Sequence, residues 1–148
     1  MKISTKGRYG LRVMTDLAAH YNGEYIALKD IAIRLGVTIK YLEQIVSALN
    51  KAGYLDSMRG INGGHRLAKA PSEYVVGDIL RAMEGNFSPV ECAAEGMEEC
   101  PMIDSCASLS FWKGLDEAVN NYIDSFTLDQ LIQGPVAGKR NIDNNDLK

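Results

Sequence analysis

Three cysteines are the residues of this sequence whose type and spacing are best suited to chemistry. The chain has 148 residues, and its three cysteines all lie in one short segment, at Cys92, Cys100 and Cys106. Residues 91–106 also hold five acidic side chains and neither Lys nor Arg. Gathered thiolates can bind an iron–sulfur cluster, complete a zinc site with one further ligand, or act as a redox-reactive thiol switch. The segment alone leaves these three hypotheses open.

The surrounding sequence predicts where such cysteines would work. An odd number of cysteines cannot pair completely within one chain. The N-terminal MKISTKGRYG is basic but leads into an amphipathic segment, not into the apolar core of a secretory signal. No apolar run approaches the roughly 20 residues of a membrane span. We therefore expect a cytoplasmic protein with no membrane partner, in which clustered cysteines bind metal or react.

The charge of the chain is unevenly distributed. The net charge is −3, yet residues 1–70 carry 11 Lys and Arg against 5 Asp and Glu, whereas residues 71–148 carry 5 against 14. An acidic protein can still present a basic face to a polyanion. The first half is therefore a candidate for nucleic-acid binding, with an unevenly solvated surface as the plainer alternative.

The first half of the sequence predicts a helix-turn-helix. Apolar spacing indicates helices over residues 6–21, 28–35 and from Thr38, as N-cap, to about residue 52. Gly36 suits the tight turn between the second and third helices, and Gly53 suits the end of the third. Small Ala32 allows close helix packing. An ordinary helical hairpin is the alternative. Apolar side chains that can fill the wedge between the helices are Ile31, Leu35, Val37, Leu42 and Ile45.

A β-hairpin is predicted directly after the third helix. Residues 54–57 and 65–68 are typical of short strands, joined by the glycine-rich turn 58–64. Such a hairpin would be the wing of a winged helix, with Arg59 placed to enter a minor groove. Gly60 and Gly63 would let the backbone approach phosphate. A plain hairpin is the alternative, and a nucleotide-phosphate loop is disfavoured because the G-x-x-x-x-G-K-[ST] pattern is missing.

Side chains near the start of the third helix are candidates for DNA recognition, because this end usually enters the major groove. Thr38 and Gln44 can read base edges, whereas Lys40 and Tyr41 suit phosphate or sugar. Glu43 could accept from a cytosine amino group or exclude unwanted sequences. Candidate backbone contacts on the first helix are Lys2, Lys6, Arg8 and Arg12.

The second half predicts a sensor and an interface between subunits. We expect a helix over 75–84, the cysteine loop over about 86–107, and a long helix over 109–126. A capping box from Thr127 to Gln130 would open a short last helix, and the polar tail from Gly134 is predicted to be disordered. The apolar face of the long helix predicts dimerisation, with packing inside its own subunit as the alternative. Its residues are Leu109, Trp112, Leu115, Val119, Tyr122, Ile123 and Phe126.

The predicted fold class is therefore mainly α: a winged helix-turn-helix with a small β-wing, followed by a long C-terminal dimerisation helix. The predicted domains are residues 1–70 for DNA binding, 71–133 for the cysteine loop and dimerisation, and 134–148 as the tail. No nucleophile motif, H-E-x-x-H pattern or dinucleotide fingerprint is present, which disfavours an enzyme.

Four segments carry a resemblance to a known family: MKISTKGRYGLRVM, YLEQIVSALNKAGYL, RGINGGHRLAK and VGDILRAMEG. Together they resemble the IscR-type winged-helix transcription regulators of bacteria, whose relatives include NsrR, RirA and CymR, over about residues 1–133. The resemblance implies a homodimer on a palindromic operator, a repressor of genes for iron–sulfur biogenesis, iron or cysteine metabolism. In the cluster-binding branches three cysteines at the places of Cys92, Cys100 and Cys106 ligate an iron–sulfur cluster; CymR lacks them.

The chain departs from these branches at the fourth ligand. The longer gap between Cys92 and Cys100 is similar to RirA rather than to IscR or NsrR. Leu109 stands where IscR has a histidine ligand, and Arg8 stands where NsrR has an acidic one. The resemblance implies a 2Fe–2S or 4Fe–4S cluster, ahead of zinc and of a thiol switch. A partner-subunit group, an exogenous thiol, water or a loop carboxylate could be the fourth ligand; the carboxylates are Glu91, Glu95, Glu98, Glu99 and Asp104.

Overall fold

The computed structural model describes residues 1–94 and 100–134, and in these residues it has six α-helices and one two-stranded antiparallel sheet. The mainly α fold with a small β-wing is confirmed. In chain order the elements are α1 (Thr5–Ala19), α2 (Leu28–Leu35), α3 (Ile39–Lys51), β1 (Leu55–Met58), β2 (Gly64–Leu67), α4 (Val76–Glu84), α5 (Leu109–Asp124) and α6 (Leu128–Ile132). No helix within these residues is long and apolar enough to cross a membrane.

The turn between α2 and α3 forms as its residues predict. Gly36 adopts the left-handed conformation with φ 66°, and its missing Cβ makes this inexpensive. Thr38 caps α3, because the Tyr41 backbone N–H donates to the Thr38 hydroxyl at 3.2 Å. The predicted helix-turn-helix is therefore present. The first helix ends at Ala19, two residues earlier than predicted.

The wing is a short hairpin fixed to the helices at its base. β1 pairs with β2 from Leu55 opposite Leu67 to Met58 opposite Gly64, so each strand is offset by one residue from the prediction. The backbones of Ile26 and His65 exchange two further hydrogen bonds of 2.9 Å each. The sheet therefore continues into the segment that joins α1 to α2.

One hydrophobic core spans the predicted boundary at residue 70. Buried side chains of α1, α2, α3 and the wing pack together with Tyr74, Ile79, Met83 and Leu128 from the second half. The Tyr74 hydroxyl donates to the Tyr54 carbonyl at 2.7 Å, which ties the residues after the wing to the residue just before β1. Fully burying one such side chain contributes roughly 1.5–3 kcal/mol, so the two halves stabilise each other.

Phe126 corrects the prediction for the long helix. α5 ends at Asp124, and Phe126 lies after it, buried in a second small core with Val76, Leu80 and Phe87. The reason is a backbone hydrogen bond from the Val76 N–H to the Phe126 carbonyl at 2.9 Å, which draws the chain back onto α4. Phe126 therefore belongs to the core of its own chain.

Candidate nucleic-acid interface and metal site

The start of α3 presents polar side chains to solvent. Thr38, Lys40, Glu43 and Gln44 are exposed. The helix can offer them outward because its opposite face is held in the core. The buried residues of that face are Leu42, Ile45, Val46 and Leu49.

Tyr41 has a different position from the one predicted. Its ring packs edge-on against Tyr9 of α1, with 5.6 Å between ring centroids. Its hydroxyl is buried, and none of the described groups hydrogen-bonds to it. The structure therefore does not present this hydroxyl to a phosphate; Tyr41 joins α1 to α3. The Arg12 guanidinium lies 5.0 Å from the Tyr9 ring centroid, so this aromatic pair brings a cation close to the start of α3.

The other basic residues lie at the start of α1. Lys2, Lys6 and Arg8 are exposed. Nearby, the backbone N–H of Ser4 donates to the Glu84 carboxylate at 3.0 Å, and the Ser4 hydroxyl donates to the same oxygen. The end of α4 is thereby attached to the beginning of α1.

The turn of the wing depends on its glycines. The Gly63 N–H donates to the Gly60 carbonyl at 3.0 Å, and Gly60 has φ 110°. A Cβ on Gly63 would fall 2.2 Å from the Met58 carbonyl oxygen, so the hairpin itself requires this glycine. Arg59 and Gly60 are exposed. Ile61, at the tip of the turn, is exposed as well, although no sequence motif marks it.

A hydrogen-bonded chain connects the wing with the end of α3. The Ser57 hydroxyl donates to Asn50 Oδ1 at 2.8 Å and lies 2.7 Å from Nδ1 of His65. Because the hydroxyl has one proton and gives it to Asn50, Nδ1 of His65 must carry the other proton and donate. Burial lowers the pKa of His65 below its usual value. The neutral Nδ1–H tautomer therefore holds this connection together.

The base of the wing has a second attachment. The Arg66 guanidinium donates to the Gly23 carbonyl at 2.7 Å and lies 4.4 Å from the Tyr25 ring centroid. These contacts fix the hairpin to the segment between α1 and α2. Arg66 therefore has a structural role here, through residues that are distant from it in the sequence.

The cysteines lie in the connection between α4 and α5. Cys92 is in a 3₁₀ turn (Glu91–Ala93), Cys106 follows a second one (Ile103–Ser105), and Cys100 follows residues 95–99. All three are free and half-buried. Among residues 1–94 and 100–134, no three His, Cys, Asp or Glu side chains are close enough to hold a metal. The candidate ligands Glu95, Glu98 and Glu99 and the tail 135–148 lie outside the described residues.

Cys106 has the environment of a reactive thiol. Its sulfur lies 3.4 Å from the Ser108 hydroxyl. Hydrogen bonds from the Ser108 side chain first, and then from the backbone N–H groups of Ser108 and Leu109, lower the pKa of Cys106 below its usual value. The α5 helix begins at Leu109, and helix N-termini favour thiolates. Cys106 is therefore well prepared to act as a ligand or a nucleophile.

The two helices that flank the cysteine loop are joined by Arg81 of α4. Its guanidinium donates to Asp124 at 2.8 Å and Asn120 at 2.9 Å, both on α5, and to Asp78 at 3.2 Å. A Cβ on Gly77 would fall 1.9 Å from an Asp124 carboxylate oxygen, so the Asp124 side chain lies directly against α4 at Gly77. These contacts fix the C-terminal half of α5 against α4.

No residue of α5 is buried by residues 1–94 and 100–134. Phe111 is 63% exposed and Tyr122 is 60% exposed. The other predicted interface residues of α5 are half-buried: Leu109, Trp112, Leu115, Val119 and Ile123.

Comparison with known proteins identifies the family. The model of the family "Rrf2: Iron-dependent Transcriptional regulator" matches residues 3–134. Protein rrf2 of Nitratidesulfovibrio vulgaris is 38% identical over 133 residues, covering 90% of this chain and 88% of that protein. The solved structure of CymR, the global cysteine regulator of B. subtilis, has a TM-score of 0.75 at 40% identity and covers 90% of this chain and 97% of its own. T. potens IscR has a TM-score of 0.72 at 37% identity, covering 93% and 91%.

The family match over residues 3–134 includes the winged helix, the cysteine loop and α5. The comparisons support a relationship to IscR and a winged-helix fold. The similar proteins are transcription regulators rather than enzymes. The chain therefore belongs to the Rrf2 family of transcriptional regulators.

Proposed function

We propose that this protein is an iron–sulfur-cluster-responsive regulator that binds a palindromic operator as a homodimer and represses genes of iron–sulfur biogenesis, iron or cysteine metabolism. The observation that carries the proposal is the insertion of three free cysteines between α4 and α5, in a chain whose α3 and wing present polar and basic groups. A DNA-binding surface and a thiol-rich loop would thereby belong to one folded unit.

DNA recognition is assigned to α3 and the wing. Thr38 and Gln44 would contact base edges, Lys40 would contact phosphate, and Glu43 would select by accepting a hydrogen bond or by repulsion. Arg59 would enter the minor groove. The exposure of all five side chains supports this assignment. Sequence-independent contacts are assigned to the basic residues in α1 and just before it, which are Lys2, Lys6, Arg8 and Arg12.

Dimerisation is assigned to α5. Sixteen residues form a helix of about 24 Å, and the apolar side chains Trp112, Leu115 and Val119 lie on it only half-buried. Apolar area of this kind is stabilised by a second subunit. A twofold dimer would place two copies of α3 on successive half-sites, which is why a palindromic operator is expected.

The cysteine loop is assigned to an iron–sulfur cluster held by Cys92, Cys100 and Cys106. The donors fit in kind, because iron–sulfur sites take cysteine thiolates and Cys106 already favours the thiolate. The three sulfurs are not gathered among the described residues, so the loop would have to close to bind. The signal would be the reversible binding, loss or oxidation of this cluster. Leu109 and Arg8 leave the fourth ligand to a loop carboxylate, the partner subunit or an exogenous group.

The route from the loop to DNA would run through α4. Bringing the three sulfurs together would pull on α5 through Cys106, which lies just before it. It would also pull on α4 through Glu84, the last residue of this helix, which lies shortly before Cys92 in the sequence. Glu84 is hydrogen-bonded to Ser4 at the start of α1, and Arg81 is bonded to Asp124 of α5. A shift of α4 would therefore change how the two copies of α3 are placed, and half-sites of fixed spacing would bind with altered affinity.

Anaerobic reconstitution with iron and sulfide tests the proposal. We expect visible absorption, a change in affinity for a duplex that the protein itself selects from a random pool, and loss of both effects in Cys92→Ala, Cys100→Ala and Cys106→Ala. Mössbauer spectra would separate 2Fe–2S from 4Fe–4S. Absence of absorption, or equal affinity of the apo and reconstituted forms, would refute the cluster switch.

A zinc site or a thiol-based redox switch without a cluster is the second candidate. The lowered pKa of Cys106 favours it, because thiolates react with oxidants and bind zinc as well as iron. Metal analysis of the same preparation distinguishes the candidates: zinc without sulfide, or peroxide-dependent DNA binding without any metal, would replace the cluster assignment.

A further inference from the structure

The tip of the wing carries an apolar side chain that the described parts of the chain leave uncovered. Ile61 has a relative exposure of 104%, above every other large apolar residue in residues 1–94 and 100–134. We propose that Ile61 is a DNA contact: its side chain packs into the minor groove between the sugars and makes binding depend on how readily the base step there opens. This inference rests on the proposed function and deepens it.

The turn holds Ile61 at its outermost point. The hydrogen bond from the Gly63 N–H to the Gly60 carbonyl closes a four-residue turn in which Ile61 and Asn62 are the central residues. A Cβ on Gly64 would fall 2.2 Å from the Ile26 carbonyl oxygen, so the hairpin is seated tightly on the preceding segment. The position of the tip is therefore set before DNA arrives, which lowers the ordering cost of the contact.

The chemistry around Ile61 fits a nucleic acid better than a protein. Gly60, Asn62 and Gly63 add no apolar area, so the tip cannot supply the extended patch of a protein interface. Arg59, two residues earlier on the same turn, supplies a cation. A guanidinium beside a single branched apolar side chain matches the minor groove, which has a negative potential and admits apolar wedges between base steps.

Such a contact would read deformability rather than base edges. Ile61 has no donor or acceptor, so it cannot tell one base from another by hydrogen bonding. Pyrimidine–purine steps such as TA unstack more easily than the steps of an A-tract. The wing would therefore favour a TA or CA step under its tip, at a position where no base edge is contacted.

Binding of the full-length protein to a duplex that it selects from a random pool provides the test. Ile61→Ala should weaken binding about tenfold for each wing, with an unchanged slope of log K against log salt because no charge is lost. Arg59→Ala should reduce that slope by about one. Ile132→Ala, on α6, is the control for loss of a partly exposed isoleucine. Replacing the TA step under the tip by AA should reduce the DNA affinity of the wild type more than it reduces the DNA affinity of the Ile61→Ala variant.

Three outcomes overturn the inference. If Ile61→Ala binds DNA with wild-type affinity, Ile61 makes no DNA contact. If Ile61→Ala and Ile132→Ala lose the same DNA affinity, the loss is not specific to the tip of the wing. In both cases the proposed function stands. Failure of the wild type to select any duplex overturns the inference together with the proposed function. The side chain of Ile61 contributes no burial to the fold, so Ile61→Ala should keep the wild-type circular dichroism and melting temperature.

Discussion

Single residues decide what the cysteine loop can do. Among the three cysteines, Cys106 stands out because it adjoins the start of α5 and lies beside Ser108. A thiol whose anion is hydrogen-bonded in this way loses its proton at lower pH than a solvated cysteine does. Cys106 should therefore be able to bind a metal ion or react with an oxidant as a thiolate at lower pH than a solvated cysteine.

Alkylation rates test this at the level of the residue. In metal-free protein the rate at which iodoacetamide modifies Cys106 should rise with pH at a lower midpoint than in Ser108→Ala, because that variant loses the hydrogen bond to the thiolate. The rate is read from mass spectra of the peptide that holds Cys106. Ser105→Ala is the matched control, since the Ser105 hydroxyl donates to the Met102 carbonyl instead. Equal midpoints in Ser108→Ala and the wild type would contradict the assignment.

Tyr41 and Ile61 show where prediction from residue type fails. A tyrosine near the start of a recognition helix is a reasonable phosphate contact, but Tyr9 packs against its ring and its hydroxyl is buried. Ile61 lies in the turn 58–64, as predicted, but its residue type did not indicate that it would be fully exposed there. Both outcomes depend on neighbours that are distant in sequence or on the register of the hairpin, and neither is visible in composition.

At the level of elements, local signals placed the helices and strands well. Gly36 marked the end of α2 and Thr38 marked the start of α3, because positive φ and side-chain capping are properties of single residues. The C-terminal end of α5 was harder to predict from the sequence. Phe126 has the right spacing to continue the helix, but the hydrogen bond between Val76 and Phe126 turns the chain towards α4 instead. How the three cysteines would come together was beyond prediction, because in the proposed function it depends on a bound cluster as well as on the chain.

The wing should loosen in mild acid. The pKa of His65 is lowered by burial, so between that value and about 6.5, its usual value, the unfolded chain binds more protons than the folded one. Stability then falls as the pH falls through about 6.5, with a slope of at most about 1.4 kcal/mol per pH unit for one proton. Denaturant unfolding from pH 7.5 to 5.5 should show this slope in the wild type and lose it in His65→Gln.

Hydrogen exchange locates that effect. The backbone amides of Ile26 and His65 bond to each other's carbonyls at the base of the wing, so their protection should decrease in acid more than that of Ile79 in α4. Identical pH slopes in the wild type and His65→Gln would mean that His65 is not the titrating group.

At the level of the whole molecule, the exposed face of α5 should determine the oligomeric state. Leu115→Glu puts a charge among the half-buried apolar side chains of the proposed interface, and burying an unpaired charge is costly. We expect a monomer by sedimentation and a loss of operator affinity of more than tenfold, because each subunit must then bind its half-site without help from a linked second subunit. Asn121→Glu adds the same charge at an exposed position of the same helix.

The two variants separate dimerisation from general charge effects. Asn121→Glu should remain a dimer and bind the operator with close to wild-type affinity. A dimeric Leu115→Glu would assign the interface to another face of the molecule. A wild type that sediments as a monomer would exclude a palindromic operator read by two subunits.

The shared core has a consequence for how this regulator can be taken apart. Tyr74, Ile79, Met83 and Leu128 complete the packing around the helix-turn-helix, so a fragment cut after residue 70 would expose its own interior. The helix-turn-helix and the second half therefore depend on each other for their packing. Replacing either half by that of a distant relative would require matching changes in the core side chains that the two halves share, such as Met83 and Leu128.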